Sequence, residues 1–150
     1  MTKKQPKRKP RPGVDEYGRT PLHYAALDRD LAAVKKLLAA GADPATPDDD
    51  GWTPLHFAAQ EYAPDVCAAL LAAGAPVDTQ DAYGNTPLWR AAFESNGRGE
   101  VIALLRAHGA DPHCANRSGI SLVALARGIG NYDVRQFFTD VQDPAPGTNG

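Results

Sequence analysis

Gly18-Arg19-Thr20-Pro21-Leu22-His23-Tyr24-Ala25-Ala26, closed by Leu37-Leu38-Ala39-Ala40-Gly41-Ala42-Asp43, is the stretch on which the reading of this chain turns. Its central phrase Thr20-Pro21-Leu22-His23 returns as Thr53-Pro54-Leu55-His56 and as Thr86-Pro87-Leu88-Trp89, each copy 33 residues after the last. A period of that length belongs to a stacked solenoid, not to a single globular core. Solenoids present long grooves to partners, so the repeat speaks first to binding and only weakly to chemistry.

The units run at about 15–47, 48–80, 81–115 and 116–141. Each opens on a turn: Asp15-Glu16-Tyr17-Gly18, Asp48-Asp49-Asp50-Gly51, Asp81-Ala82-Tyr83-Gly84, then Asn116-Arg117-Ser118-Gly119. Glycine admits the positive φ of such a turn. Thr20, Thr53 and Thr86 can then cap a helix, and Pro21, Pro54 and Pro87 occupy its first position, where no amide hydrogen is missed. This first helix is short and ends near Asp28, Glu61 and Glu94. The pairs Ala25-Ala26, Ala58-Ala59 and Ala91-Ala92 let a neighbouring backbone come close. A second helix carries apolar residues at helical spacing (Leu31, Val34, Leu37 and Leu38; Val66, Leu70 and Leu71; Val101, Ile102, Leu104 and Leu105). Gly41, Gly74 and Gly109 stop it. Neither helix alone buries its apolar face, whereas stacked pairs do.

These residues closely resemble an ankyrin repeat. The second unit matches through Gly51 to Ala59 and Leu70 to Ala75, the third through Gly84 to Ala92 and Leu104 to Asp111. The resemblance implies an all-α solenoid of about four helix-turn-helix units with short β-hairpin-like turns. It departs from the pattern in three places. Trp89 replaces the motif histidine. Gly109 follows Ala92 by 17 positions where the earlier units have 15, so a longer inter-helix loop is expected at Ser95–Gly99. The fourth unit loses Pro and His, and Arg127, Arg135 and Gln136 make it more polar, as a terminal cap must be.

Composition bounds the setting. The chain has 150 residues and a net charge of −2, with 43 % hydrophobic and 7 % aromatic content. The balance hides an asymmetry. Residues 1–13 hold six Lys or Arg and no acid, which leaves a body of ten basic and eighteen acidic residues. A disordered basic tail (1–13), a repeat domain (14–141) and a flexible end (142–150) are expected. No run approaches the roughly 20 apolar residues that span a bilayer, and no apolar stretch follows the N-terminal charges, which argues against a secretory leader. Cys67 and Cys114 make no disulfide framework, so a reducing, cytoplasmic setting is expected, with the small alanine-rich repeats of a bacterial-type protein.

Little points to catalysis. The resemblance makes His23 and His56 structural, bonded locally and to the adjacent unit. His108, His113 and Cys114 are three candidates where structural zinc usually takes four ligands. Cys67 aligns with Val34 and Ile102 and reads as a small core residue. No phosphate loop, nucleophile elbow or paired catalytic acids stand out. We therefore expect no enzyme, cofactor, metal or small-molecule substrate. The family binds proteins through its turn tips and the exposed face of its first helices. Carried onto this chain, that surface comprises Glu16, Tyr17, Arg19, Asp28, Asp49, Asp50, Trp52, Glu61, Tyr83, Asn85, Phe93 and Glu94. Aromatic anchors in an acidic field suit a basic protein partner, and an inhibitor or immunity-type antagonist of a basic effector or toxin is one specific form. The alternative is a nucleic-acid-associated regulator using the basic tail, which lacks interleaved aromatics for base stacking.

Overall fold

Threonine, proline and glycine divide the chain into helices where the sequence expects them. The computed structural model describes residues 11–128 and 134–141, with side chains at 11–126 and 136–141. The expectations for the tail through residue 10 and for the end from 142 fall outside the described residues, and Arg127 and Arg135 fall outside the described side chains. Three helix pairs follow one another: α1 (Pro21–Leu27) with α2 (Leu31–Ala39), α3 (Pro54–Gln60) with α4 (Pro64–Ala72), and α5 (Pro87–Phe93) with α6 (Glu100–Ala107). Then come α7 (Leu122–Gly128) and a 3-10 helix at Val134–Phe138. Among the described residues there is no β-strand, only isolated bridges at Arg11–Val14 and Ala115–Ser121. Thr20, Thr53 and Thr86 hold extended backbone before Pro at the first helical position, and Asp28, Glu61 and Glu94 cap the other ends. At Gly41 (φ +94°) the amide bonds Leu38 and the next amide bonds Leu37, which closes α2 with a Schellman motif.

The first helices α1, α3 and α5 pack side by side, and α2, α4 and α6 form a second row behind them. Leu22, Leu55 and Leu88, the same letter of the repeated phrase, are all buried at 1 % exposure or less. Each such leucine contributes about 1.5–3 kcal/mol by leaving water. Cys67 lies with Val34 and Ile102 in this core, and burial pushes its thiol up to about 12. The lengthened loop spans residues 94–99, against 28–30 and 61–63 in the earlier pairs. Tyr62 holds it from the preceding unit. Its hydroxyl donates to the Arg98 carbonyl at 2.6 Å, although its backbone sits at φ +53°, which strains a bulky residue. Where the first two units have Leu38 and Leu71, the third has Arg106, which makes a bidentate pair with Asp140 (2.8 and 2.7 Å) and bonds the Phe137 carbonyl.

The histidines bond one unit to the next. His23 Nδ1 accepts from the Thr20 amide at 2.9 Å, so Nε2 carries the proton and donates to the Trp52 carbonyl at 2.9 Å. His56 repeats this with Thr53 (3.1 Å) and the Asn85 carbonyl (3.0 Å). Trp89 makes no such bond. Thr86 instead caps α5 alone, accepting from the Trp89 amide at 3.4 Å. Both imidazoles are fully buried, and burial pushes them below their ordinary value near 6.5. They stay neutral in the fold while the unfolded chain takes up protons, so acid favours unfolding. Stability is expected to be flat above about pH 6.5 on their account. Below it, stability should fall by up to roughly 1.4 kcal/mol per pH unit per imidazole until the fold itself protonates. Urea titrations between pH 7.5 and 5 check this, and a stability that rises on acidification contradicts it.

Candidate partner-binding surface

The turns are built by one side chain. Asp15 Oδ1 accepts the amides of Tyr17 and Arg19 (3.0 and 2.9 Å), Asp48 those of Asp50 and Trp52 (both 2.9 Å), and Asp81 those of Tyr83 and Asn85 (2.9 and 3.0 Å). Asn116 does the same for Ser118 and Ile120. Each turn also closes like a hairpin, with the opening amide donating to the carbonyl four residues on. Backbone bonds then tie turn to turn. The Asp49 amide donates to the Tyr17 carbonyl, Ala82 to Asp50, and Arg117 to Tyr83, at 2.8–2.9 Å. This approach leaves no room for a Cβ. One added at Gly84 (φ +81°) would stand 2.6 Å from the Arg117 nitrogen.

The second oxygen of each turn aspartate is satisfied differently, and this shapes the groove. The residue nine places on is Tyr24, Phe57 or Arg90. Asp15 Oδ2 takes the Tyr24 hydroxyl, which holds the Asp15 carboxyl below its usual range. Phe57 has no donor, so Asp48 Oδ2 takes Arg19 Nε from the preceding unit at 3.3 Å. Asp81 Oδ2 takes Arg90 Nη2 at 3.0 Å. Both guanidiniums then lie on aromatic rings. Arg19 sits 5.0 Å from the Phe57 centroid and 5.2 Å from Tyr17, and Arg90 sits 4.3 Å from Trp52. Trp52 and Phe57 are themselves 4.9 Å apart. The wall of the groove is therefore an alternation of rings and cations.

A hollow of about 330 Å³ opens on this wall. Four of the residues expected at the surface line it together: Arg19, Asp50, Trp52 and Tyr83. Tyr83 and Tyr17 stand 68 % and 54 % exposed, and Phe93 at the end of α5 is 52 % exposed. Trp52 is half-buried beneath Arg90, so part of its ring serves the core. Asn85 is half-buried and accepts from Asn116 Nδ2 at 3.2 Å. Glu16 and Asp50 are exposed, whereas Asp49 accepts from both terminal nitrogens of Arg11, Nη1 and Nη2, at 2.9 and 2.8 Å. Asp28, Glu61 and Glu94 terminate the first helices and do not line the hollow. Phe57, Gln60 and Arg90 do line it, and sequence reasoning missed them. The nine-residue step from turn aspartate to groove residue, read in register across the units, is the signal that finds Phe57 and Arg90.

Among the described residues no group of His, Cys, Asp and Glu is arranged to hold a metal ion, and His108 Nδ1 donates to the Leu104 carbonyl at 2.9 Å. No described helix is long and apolar enough to cross a membrane. A family model of ankyrin repeats, in three copies, matches residues 22–116. No curated protein matches the chain significantly.

Proposed function

Because the chain belongs to the ankyrin repeat family, whose members are generally protein-interaction modules and typically non-catalytic, we propose that it binds a protein partner across its turn tips and the groove behind them. The observation that carries this is the groove itself. Exposed Tyr83 and half-buried Trp52 stand over a wall whose cations are already paired, beside the exposed carboxylate of Asp50. Rigid aromatic anchors supply contact area at small entropic cost, and the excess of acid in the body favours a partner with a basic surface. An antagonist of a basic effector is the form of activity that fits such a surface. Two free thiols, one inside the core, suit a reducing compartment such as the cytoplasm.

Tyr83→Ala and Asp50→Ala are the variants to use, since both side chains are exposed and Trp52 is partly core. Partner recovery from native lysate on the immobilised protein is expected to fall about tenfold or more in each, the loss that separates hot-spot residues from bystanders. Melting temperatures should stay unchanged. Undiminished recovery by both folded variants removes the groove as the binding surface.

A further inference from the structure

The repeats carry an internal comparison. In the first unit the Arg19 guanidinium lies over the Tyr17 ring at 5.2 Å. The 33-residue period puts Tyr83 at the place of Tyr17 in the third unit, and Asn85 at the place of Arg19. The ring has been kept and its cation is missing. Tyr83 is 68 % exposed, and among the described residues no guanidinium or ammonium lies on it.

A counter-charge is beside it. The Asp50 carbonyl accepts the Ala82 amide at 2.8 Å, which sets Asp50 against the turn that bears Tyr83, and both residues line the same hollow. The Asp50 carboxylate is exposed and has no partner among the described residues. Elsewhere in the wall charge cancels pairwise, Arg19 with Asp48 at 3.3 Å and Arg90 with Asp81 at 3.0 Å. One negative charge is left uncompensated. The Gln60 side chain, also on the hollow and also unpaired, offers an amide to a peptide backbone.

We propose that the hollow between Tyr83 and Asp50 binds an arginine side chain of the protein partner, its guanidinium stacked on Tyr83 as Arg19 is on Tyr17 and its charge met by Asp50. This rests on the protein-binding reading and specifies what that surface recognises. A planar guanidinium fits better than an ammonium, because it stacks on rings and donates sideways at once. The wall already does this twice with its own arginines. A carboxylate ligand is disfavoured, since Arg19 and Arg90 are engaged and the residual charge is negative.

The test needs no knowledge of the partner. The uniformly ¹⁵N-labelled full chain is titrated with N-acetyl-Gly-Arg-Gly-amide, and separately with the Lys and Glu analogues at equal ionic strength. The Trp52 indole and Gln60 side-chain resonances are followed. The arginine peptide is expected to move them with a Kd of about 10 mM or weaker, the range that one cation–π contact and one exposed ion pair allow. The lysine peptide should bind several-fold more weakly, and the glutamate peptide should leave them still. Asn85→Arg supplies the missing guanidinium from the chain itself and is expected to abolish the arginine response. Asp50→Asn, which touches no internal bond of the side chain, should weaken it at least several-fold and serves if Asn85→Arg fails to fold. Equal response to all three peptides, no response at these two resonances, or an undiminished response in Asp50→Asn overturns the proposal. Loss of partner recovery in Tyr83→Ala and Asp50→Ala without peptide selectivity keeps the protein-binding reading and removes this one.

Discussion

Asp81→Ala is expected to lower the free energy of unfolding by about 3–5 kcal/mol, the range for breaking a buried charge pair by removing one partner. Asp81 is buried, and its two oxygens serve Tyr83, Asn85 and Arg90. Alanine strands the two amides and leaves the Arg90 guanidinium without its counter-ion in a half-buried site. Asp81→Asn should cost less, about 1–3 kcal/mol. Its carbonyl can keep both amides, as Asn116 does in the fourth unit, but its amide group faces Arg90 donor to donor. The fourth unit also shows the repair, because Leu125 stands nine residues after Asn116. Asp81→Asn with Arg90→Leu should therefore recover most of the loss. Urea unfolding followed by circular dichroism orders the four proteins. Equal midpoints for wild type and Asp81→Ala show that the turn carboxylate is dispensable.

His56→Ala is expected to cost about 3–5 kcal/mol, combining a cavity with two unmet backbone groups. The ring is fully buried, accepts the Thr53 amide, donates to the Asn85 carbonyl, and lies 5.8 Å from the Trp52 ring. His56→Phe keeps the volume and loses only the bonds, so it separates the two contributions and should cost about 1–3 kcal/mol. It also removes one of the two buried imidazoles, and the acid-side slope of stability should halve with it. A phenylalanine variant as stable as wild type, with the slope unchanged, refutes the inter-unit role given to the ring.

Much of the scaffold was legible because punctuation residues fix it locally. Thr-Pro starts each first helix and glycine ends each second one whatever lies around them, so these boundaries need no tertiary knowledge. The lengthened loop at Ser95–Gly99 was legible for the same reason. The groove was less so. Arg90 and Phe57 sit inside helices, where periodicity reads as packing, and only the register between units shows Arg90 lying on Trp52. Trp52 looked like a free surface anchor because nothing local announces the guanidinium above it. The acidic turn Asp49-Asp50 looked uniform, yet Arg11, far off in sequence, engages one carboxylate and leaves the other to solvent. Pairings of this kind depend on separations of tens of residues and are invisible to a count of charges.

The exchange of histidine for Trp89 also bears on how the chain comes apart. Stability in a stacked array is close to a sum of unit terms and nearest-neighbour terms. The interfaces after the first and second units each hold an imidazole-to-carbonyl bond, while the one after the third is joined without it. The coupling along the array is therefore uneven: among the described residues the last seam lacks that buried bond, and the exposed Arg106–Asp140 pair that crosses it contributes little in its place. Unfolding should open first at that seam and reach the remaining units in a later, more cooperative step.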